Sequence, residues 1–151
     1  MTSSPAKARA LNSPGLISLD AAYREILRND FAAFVHRAFL ELEPQSKYLH
    51  NFHIDVIAAA VHDVLGGSEK RVLACLPPRY LKSLIFSVAL PAFILGHHPA
   101  AEIICVSYAQ DLSEKLARDC RALIASAFYQ DTFETRISSE KDTAAEFMTT
   151  A

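Results

Sequence analysis

The sequence lacks an excess of positive charge, and this lack restricts the partners that it can attract. Its 15 lysines and arginines are outnumbered by 17 aspartates and glutamates, so the formal net charge at pH 7 is −2. Proteins that bind nucleic acid through its phosphates usually carry a basic surface. If DNA is a partner, this chain is therefore not its main basic surface. The hydrophobic fraction, 51% of 151 residues, is enough for one folded domain with a real core.

Paired cysteines, a secretory signal and a membrane-spanning run are also missing. The three cysteines, Cys75, Cys105 and Cys120, are far apart and form no C-x-x-C pair, so we expect reduced thiols that serve as small apolar residues. Residues 1–17 have no apolar h-region and are predicted to be a flexible leader. The longest apolar run, Leu84 to Leu95, is too short to cross a bilayer. These absences indicate a soluble cytoplasmic protein.

Helical periodicity is the main pattern of residues 18–66, which we interpret as a helical N-terminal region. Asn29-Asp30 can cap a second helix or kink a single long one. A later amphipathic helix is predicted to stop at Gly66-Gly67. The apolar residues that recur at spacings of three and four in the first part are predicted to be core: Phe31, Phe34, Val35, Ala38 and Phe39.

Residues 67–151 show the pattern of a parallel sheet. The apolar runs 71–76 and 102–107 read as short buried strands, and they are separated by a helix that begins at about Ser83. Cys75 and Cys105 would lie in these strands, whereas Cys120 would lie on the following helix. Residues 128–142 look loop-like, and 146–150 look like a further strand. The order predicts an α/β fold, doubly wound around a parallel sheet, with an N-terminal helical extension.

A lysine and a serine stand where the first predicted strand gives way to a helix. Strand, tight loop, Lys82-Ser83 and helix form the arrangement of a phosphate-binding loop, in which the ammonium neutralises β/γ-phosphate charge and the hydroxyl binds Mg²⁺. The two glycine positions of the general motif hold Leu76 and Leu81, which cannot adopt positive φ cheaply. A proline turn with a surface lysine is the alternative interpretation. Arg79 can contact a phosphate or be solvated.

Two further groups of polar residues, one after the second predicted strand and one made of histidines, are weaker candidates for a site. Ser107, Tyr108 and Gln110 follow the second predicted strand, at the end where ligands bind to open α/β sheets, although an ordinary strand-to-helix turn also explains them. The histidines lack the cysteine or carboxylate neighbours that would complete a metal site. No later apolar run is followed by the acidic residue that P-loop hydrolases use to hold Mg²⁺.

The stretch Leu76-Pro77-Pro78-Arg79-Tyr80-Leu81-Lys82-Ser83 resembles the variant Walker A loop of large terminase subunits from tailed phages and prophages, which commonly read L-P-P-R-H-G-K-S. Leu81 replaces the glycine before the lysine. The resemblance extends over roughly residues 30 to 151. Other segments that look like this family flank the loop: Phe52-His53-Ile54-Asp55, Leu90-Pro91-Ala92-Phe93, Ile104 to Ala109, Asp119 to Ile124 and Glu146 to Ala151.

The resemblance implies a P-loop NTPase sheet of the ASCE type and an ATP–Mg²⁺ site. By analogy Lys82 contacts the β/γ-phosphates and Ser83 binds Mg²⁺ through its hydroxyl. Lys82 and Arg79 can also stabilise transition-state charge. The remaining residues divide between three implied roles: Pro78, Arg79, Tyr80 and Leu81 in the phosphate loop, Phe52 and His53 in adenine recognition, and Ser107, Tyr108 and Gln110 in DNA coupling.

Large terminases are DNA-packaging motors with an ATPase domain and a nuclease domain, and they work in the host cytoplasm. The resemblance therefore implies double-stranded DNA, the portal and the small terminase subunit as partners, and an oligomer in the full-length motor. Residues 67–151 match the first part of the ATPase domain, before the Walker B acid and the nuclease domain. We therefore expect that the chain alone does not hydrolyse ATP.

Two other functions remain open from the sequence. One is a non-enzymatic prophage remnant or small nucleotide-binding or nucleic-acid-binding module that keeps the fold without turnover. The other is a helicase-like nucleic-acid module, which would bind DNA in a salt-sensitive way and which the acidic balance disfavours.

Overall fold

The first described part of the chain is a set of helices. The computed structural model describes residues 18–142 and 147–150, so the predicted leader, 1–17, lies outside it. Helices α1 (Leu19–Asn29), α2 (Phe31–Leu42) and α3 (Phe52–Leu65) fill the region predicted to be helical. Ser18 Oγ accepts a hydrogen bond from the Ala21 N–H (3.1 Å), which caps α1. Asp30 Oδ1 likewise accepts from the Ala33 N–H (3.1 Å), so Asp30 separates two helices.

A continuous helical segment follows the lysine–serine pair. It consists of α4 (Lys82–Leu84), a π-helical turn (Ile85–Ala89) and α5 (Leu90–His97). Pro91 explains the wide turn, because proline has no N–H to offer to the Ser87 carbonyl and its ring would clash with that group. The Leu90 N–H instead bonds the Ile85 carbonyl, five residues back. The middle of this segment, from Ile85 to Leu95, contributes its buried residues to the core, as its apolar composition predicts.

The C-terminal part contains two helices and a hairpin. Helix α6 (Gln110–Ala125) is followed by the short α7 (Ala127–Thr132), which Ser126 caps. Strands β1 (Ile137–Asp142) and β2 (Phe147–Thr149) pair antiparallel, with Ile137 opposite Thr149 and an irregular register between the ends. The prediction of a loop over 128–142 was therefore wrong.

The core joins α2, the helical segment 82–97, α6 and α7. An aromatic cluster forms its centre, where the centroid of the Phe34 ring lies within 6.3 Å of the ring centroids of four aromatic neighbours. Tyr129 Oη donates to the Ala92 carbonyl (2.8 Å), and Thr135 Oγ1 donates to the Leu95 carbonyl (2.8 Å), so these two buried hydroxyls are satisfied. The aromatic members of the cluster are Phe31, Phe34, Phe93, Phe128, Tyr129 and Phe133.

The prediction of an α/β fold with a parallel P-loop NTPase sheet is wrong for the described residues. They are mostly helical, and their one sheet is the antiparallel pair β1–β2. Residues 71–76 and 102–107 form no strand and have no regular secondary structure, because no other described segment pairs with them. An apolar run predicts burial, whereas a strand also requires a partner, which the run itself does not encode.

The exposure of these two segments also contradicts the prediction of buried strands. Leu73 is 90% exposed and Val106 is 89% exposed, whereas a strand in a doubly wound sheet is covered on both faces. Cys75 and Cys105, predicted to be buried, are also exposed, and only Cys120 is buried. No helix within residues 18–142 or 147–150 is long and apolar enough to cross a membrane.

Candidate functional site

The loop that enters α4 has an alternating backbone conformation. Arg79 has φ 68° and Leu81 has φ 59°, and neither is glycine. Tyr80 between them has no positive φ, and Lys82 after them begins the helix. Alternation of left- and right-handed residues turns successive N–H groups toward one concavity, a backbone nest that binds anions. The chain thus reaches with leucine a conformation that is usually given to glycine.

Leu81 is held in this conformation by two contacts. Its side chain is half-buried and packs against the hydrophobic core. Its carbonyl accepts a hydrogen bond from the Ile85 N–H (2.8 Å). Leu76, the other residue at a glycine position, also packs against the core but keeps an ordinary φ. Only one of the two glycine positions therefore requires the left-handed region.

The start of the helix has unused hydrogen-bond donors and positive charge. No side chain caps α4, and among the described residues the N–H groups of Lys82, Ser83 and Leu84 make no backbone hydrogen bond. Lys82 and Ser83 are exposed, as is Arg79. No carboxylate in the described part of the chain forms an ion pair with Lys82 or Arg79. Free donors and unpaired cations at a helix start favour an anion such as phosphate.

An aromatic flank lies beside the loop. The His53 and Tyr80 rings meet edge to face, with centroids 5.3 Å apart, so the start of α3 contacts the loop. Phe52 is 75% exposed next to His53. Both His53 ring nitrogens are shielded from solvent and have no hydrogen-bond partner among the described residues. Shielded, unpaired nitrogens are rare in folded proteins and call for an explanation such as a ligand or a water molecule.

Sequence reasoning missed the residues that extend this flank. Tyr48 stacks on His36 at 4.3 Å between centroids, and its hydroxyl is shielded and unpaired within the described residues. Burial raises the pKa of the Tyr48 hydroxyl, and the negative charge of Asp55 raises it further. His50 Nε2 lies 3.0 Å from Asp55 Oδ2. The available signal was the density of rings between residues 48 and 53, namely Tyr48, His50, Phe52 and His53.

The second predicted site is not joined to the loop. Tyr108 is 94% exposed, and Gln110 Nε2 donates to Glu114 Oε1 (2.9 Å) on its own helix. Ser107 lines a cavity of about 840 Å³ between the segment 101–107, α5, α6 and β2. No ring contact or hydrogen bond within residues 18–142 and 147–150 links these three residues to residues 76–83.

The free N–H groups and the cations at the start of α4 suit a phosphate better than a metal ion that only protein side chains hold. No group of three or more His, Cys, Asp or Glu side chains in the described ranges is placed to hold a metal ion. The Ser83 hydroxyl is exposed and can add one oxygen ligand to an ion that arrives with a phosphate. No family model, curated protein or solved structure matches this chain.

Proposed function

We propose that the loop from Leu76 to Ser83 binds the phosphates of ATP. The observation that supports this best is the nest: φ alternates in sign from Arg79 to Lys82, and the N–H groups of the next residues are free. An anion at this position would accept those hydrogen bonds and interact with the positive end of the helix.

Each polar residue of the loop has a role in this proposal. Lys82 neutralises charge on the β/γ-phosphates, since its ammonium is exposed and has no ion-pair partner among the described residues. Arg79 supplies a second cation three residues earlier. Ser83 provides a hydroxyl to the Mg²⁺ that accompanies ATP, and this ion would screen the phosphate charge while bound.

The aromatic flank, Phe52, His53 and Tyr80, offers a surface for the adenine base of ATP. Phe52 offers an exposed ring on which a base can stack, and base–aromatic stacking tolerates many bases. His53 adjoins Phe52, with ring centroids 6.4 Å apart, and by the resemblance shares its role in adenine recognition. The contact between His53 and Tyr80 holds this flank against the phosphate loop.

The wider role that we propose is that of the nucleotide-binding part of a phage-type large terminase subunit. Only the sequence resemblance of residues 30–151 supports this step. In that role the chain would act in the host cytoplasm with double-stranded DNA, the portal and the small terminase subunit. The second candidate, a nucleotide-binding module without turnover, shares the same loop but has no part in DNA packaging.

Calorimetric titration with Mg-ATP tests the site. We expect micromolar binding by the wild-type chain and binding roughly tenfold or more weaker in Lys82→Ala, because the main phosphate counter-charge is lost. Lys47→Ala removes an exposed lysine far from the loop in sequence and should leave the affinity unchanged. Equal affinity in Lys82→Ala, or no binding by the wild type, would contradict the proposal. Phosphate release in the same samples tests the expectation that this chain alone does not hydrolyse ATP, and release that Lys82→Ala abolishes would contradict that expectation.

A further inference from the structure

The two left-handed residues of the loop differ in what their side chains do. Arg79 is exposed, whereas Leu81 is half-buried and packs against the hydrophobic core. Both have the steric conflict between Cβ and backbone that L-residues meet at positive φ. Only Leu81 has an apolar contact that can offset this conflict.

We propose that Leu81 is a positioning residue, whose buried side chain holds the phosphate loop in its anion-binding conformation before any nucleotide arrives. This inference rests on the proposed function for its purpose, although the conformation itself can be tested without ligand. The Leu81 side chain packs against the hydrophobic core while only half-buried. Its carbonyl bond from the Ile85 N–H links the same residue to the first helical turn.

The proposal reverses the usual expectation for this position. Glycine normally improves a left-handed residue because it has no Cβ, and it is the residue that the general motif places before the lysine. Here Leu81→Gly would relieve the strain but would also remove the apolar contact and increase the freedom of the backbone. We therefore expect the glycine variant to have the looser loop and the weaker phosphate site.

Arg79→Gly is the matched control. It relieves the same kind of strain two residues away and removes no buried side chain. Leu81→Met is the rescuing variant, because methionine keeps an apolar side chain of similar volume. Thermal unfolding of all three variants checks that they remain folded.

NMR relaxation of the ligand-free chain is the first measurement. We expect backbone order parameters of about 0.85 for residues 80–83 in the wild type, Arg79→Gly and Leu81→Met, and below about 0.6 in Leu81→Gly. Faster exchange of the Ile85 amide in Leu81→Gly alone should accompany this change. Unchanged order parameters in Leu81→Gly, or a wild-type loop that is already mobile, would overturn the inference.

Titration with Mg-ATP is the second measurement. We expect Leu81→Gly to bind roughly tenfold more weakly than the wild type, and Leu81→Met to bind like it. Glycine binding that equals or exceeds the wild type contradicts the positioning role and leaves the proposed function standing. If the wild type does not bind at all, the proposed function fails, and the order parameters alone decide the role of Leu81.

Discussion

The cysteine side chains show how strongly one residue type depends on its surroundings. Cys120 is 3% exposed in the core-facing side of α6, and burial together with the nearby Cys105 raises the pKa of its thiol to about 12. Partial burial also raises the pKa of the Cys105 thiol. Cys75 is exposed in the segment 71–76. Because the thiolate is the reactive form, these environments set an order of reactivity.

We expect two thiols of the native chain to react with a chromogenic disulfide reagent at pH 8 and the third to react only after unfolding. Cys75 should react first and Cys105 more slowly, because a raised pKa lowers the thiolate fraction at a given pH. The double variant Cys75→Ser/Cys105→Ser should show no native reactivity. A fast third thiol in the native protein would mean that Cys120 is not buried as described.

The sequence predicted the burial of Cys120 correctly and that of Cys75 and Cys105 wrongly. Cys120 lies on a helix with Leu123 and Ile124, and the spacing of apolar residues identifies its inward face. Cys75 and Cys105 lie in equally apolar runs, but an apolar neighbourhood in sequence does not supply the second layer that covers it. The left-handed φ of Leu81 could not be predicted, because it depends on a contact with the core.

Helix α5 approaches the Phe133 ring closely at Gly96. A Cβ placed there would lie 2.6 Å from Cδ1 of Phe133, well inside van der Waals contact. Phe133 is buried in the aromatic cluster and has little room to move. Glycine at this point in a helix is therefore required by packing and not by backbone conformation.

We expect Gly96→Ala to lower the free energy of unfolding by about 1–3 kcal/mol, although alanine has the better helix propensity. Chemical denaturation measures the loss. The double variant Gly96→Ala/Phe133→Leu should lose less than the sum of the two single changes, because the smaller side chain removes the clash. Additive losses would indicate that the two residues do not meet.

Helices were predictable among the elements, whereas β1 was missed and only β2 (Phe147–Thr149) falls within a predicted strand, the one at 146–150. Local signals set the helix ends: Ser18 and Asp30 cap α1 and α2, and Gly66 follows α3. Helix α7 was missed because its six residues have mixed composition, although Ser126 at its start is a capping residue. A strand needs a partner that local sequence does not name, and the structure uses the nearest one, the β1–β2 hairpin. The position of Lys82 and Ser83 at a helix start was predicted, since that boundary is also local.

The molecule as a whole leaves apolar side chains uncovered along two segments, residues 71–76 and 102–108. Leu73, Ile104 and Val106 are 88–90% exposed, and Tyr108 is 94% exposed. The backbone groups of residues 102–107 form no hydrogen bonds with other described residues. A segment with exposed apolar side chains and unpaired backbone groups is a template for association with another chain.

We expect the wild-type chain to bind a hydrophobic dye and to associate with further copies as its concentration rises. Ile104→Lys should reduce both effects and change the free energy of unfolding by no more than about 0.5 kcal/mol, because the side chain is already in water. Ser46→Lys adds the same charge at an exposed polar position and should change neither. Dye fluorescence and sedimentation velocity measure the two effects; association equal in all three proteins would show that this surface is not responsible.

The bond from Arg28 Nε to the Thr132 carbonyl has a consequence for how the chain is made. It ties α1 to α7 across 104 residues of sequence. At a synthesis rate of roughly 5–20 residues per second, about 100 residues take roughly 5–20 s to appear. During that interval α1 can pack against α2, which follows it directly, whereas α7 does not yet exist. The first helix of the described residues therefore completes its packing only when the C-terminal part has been made.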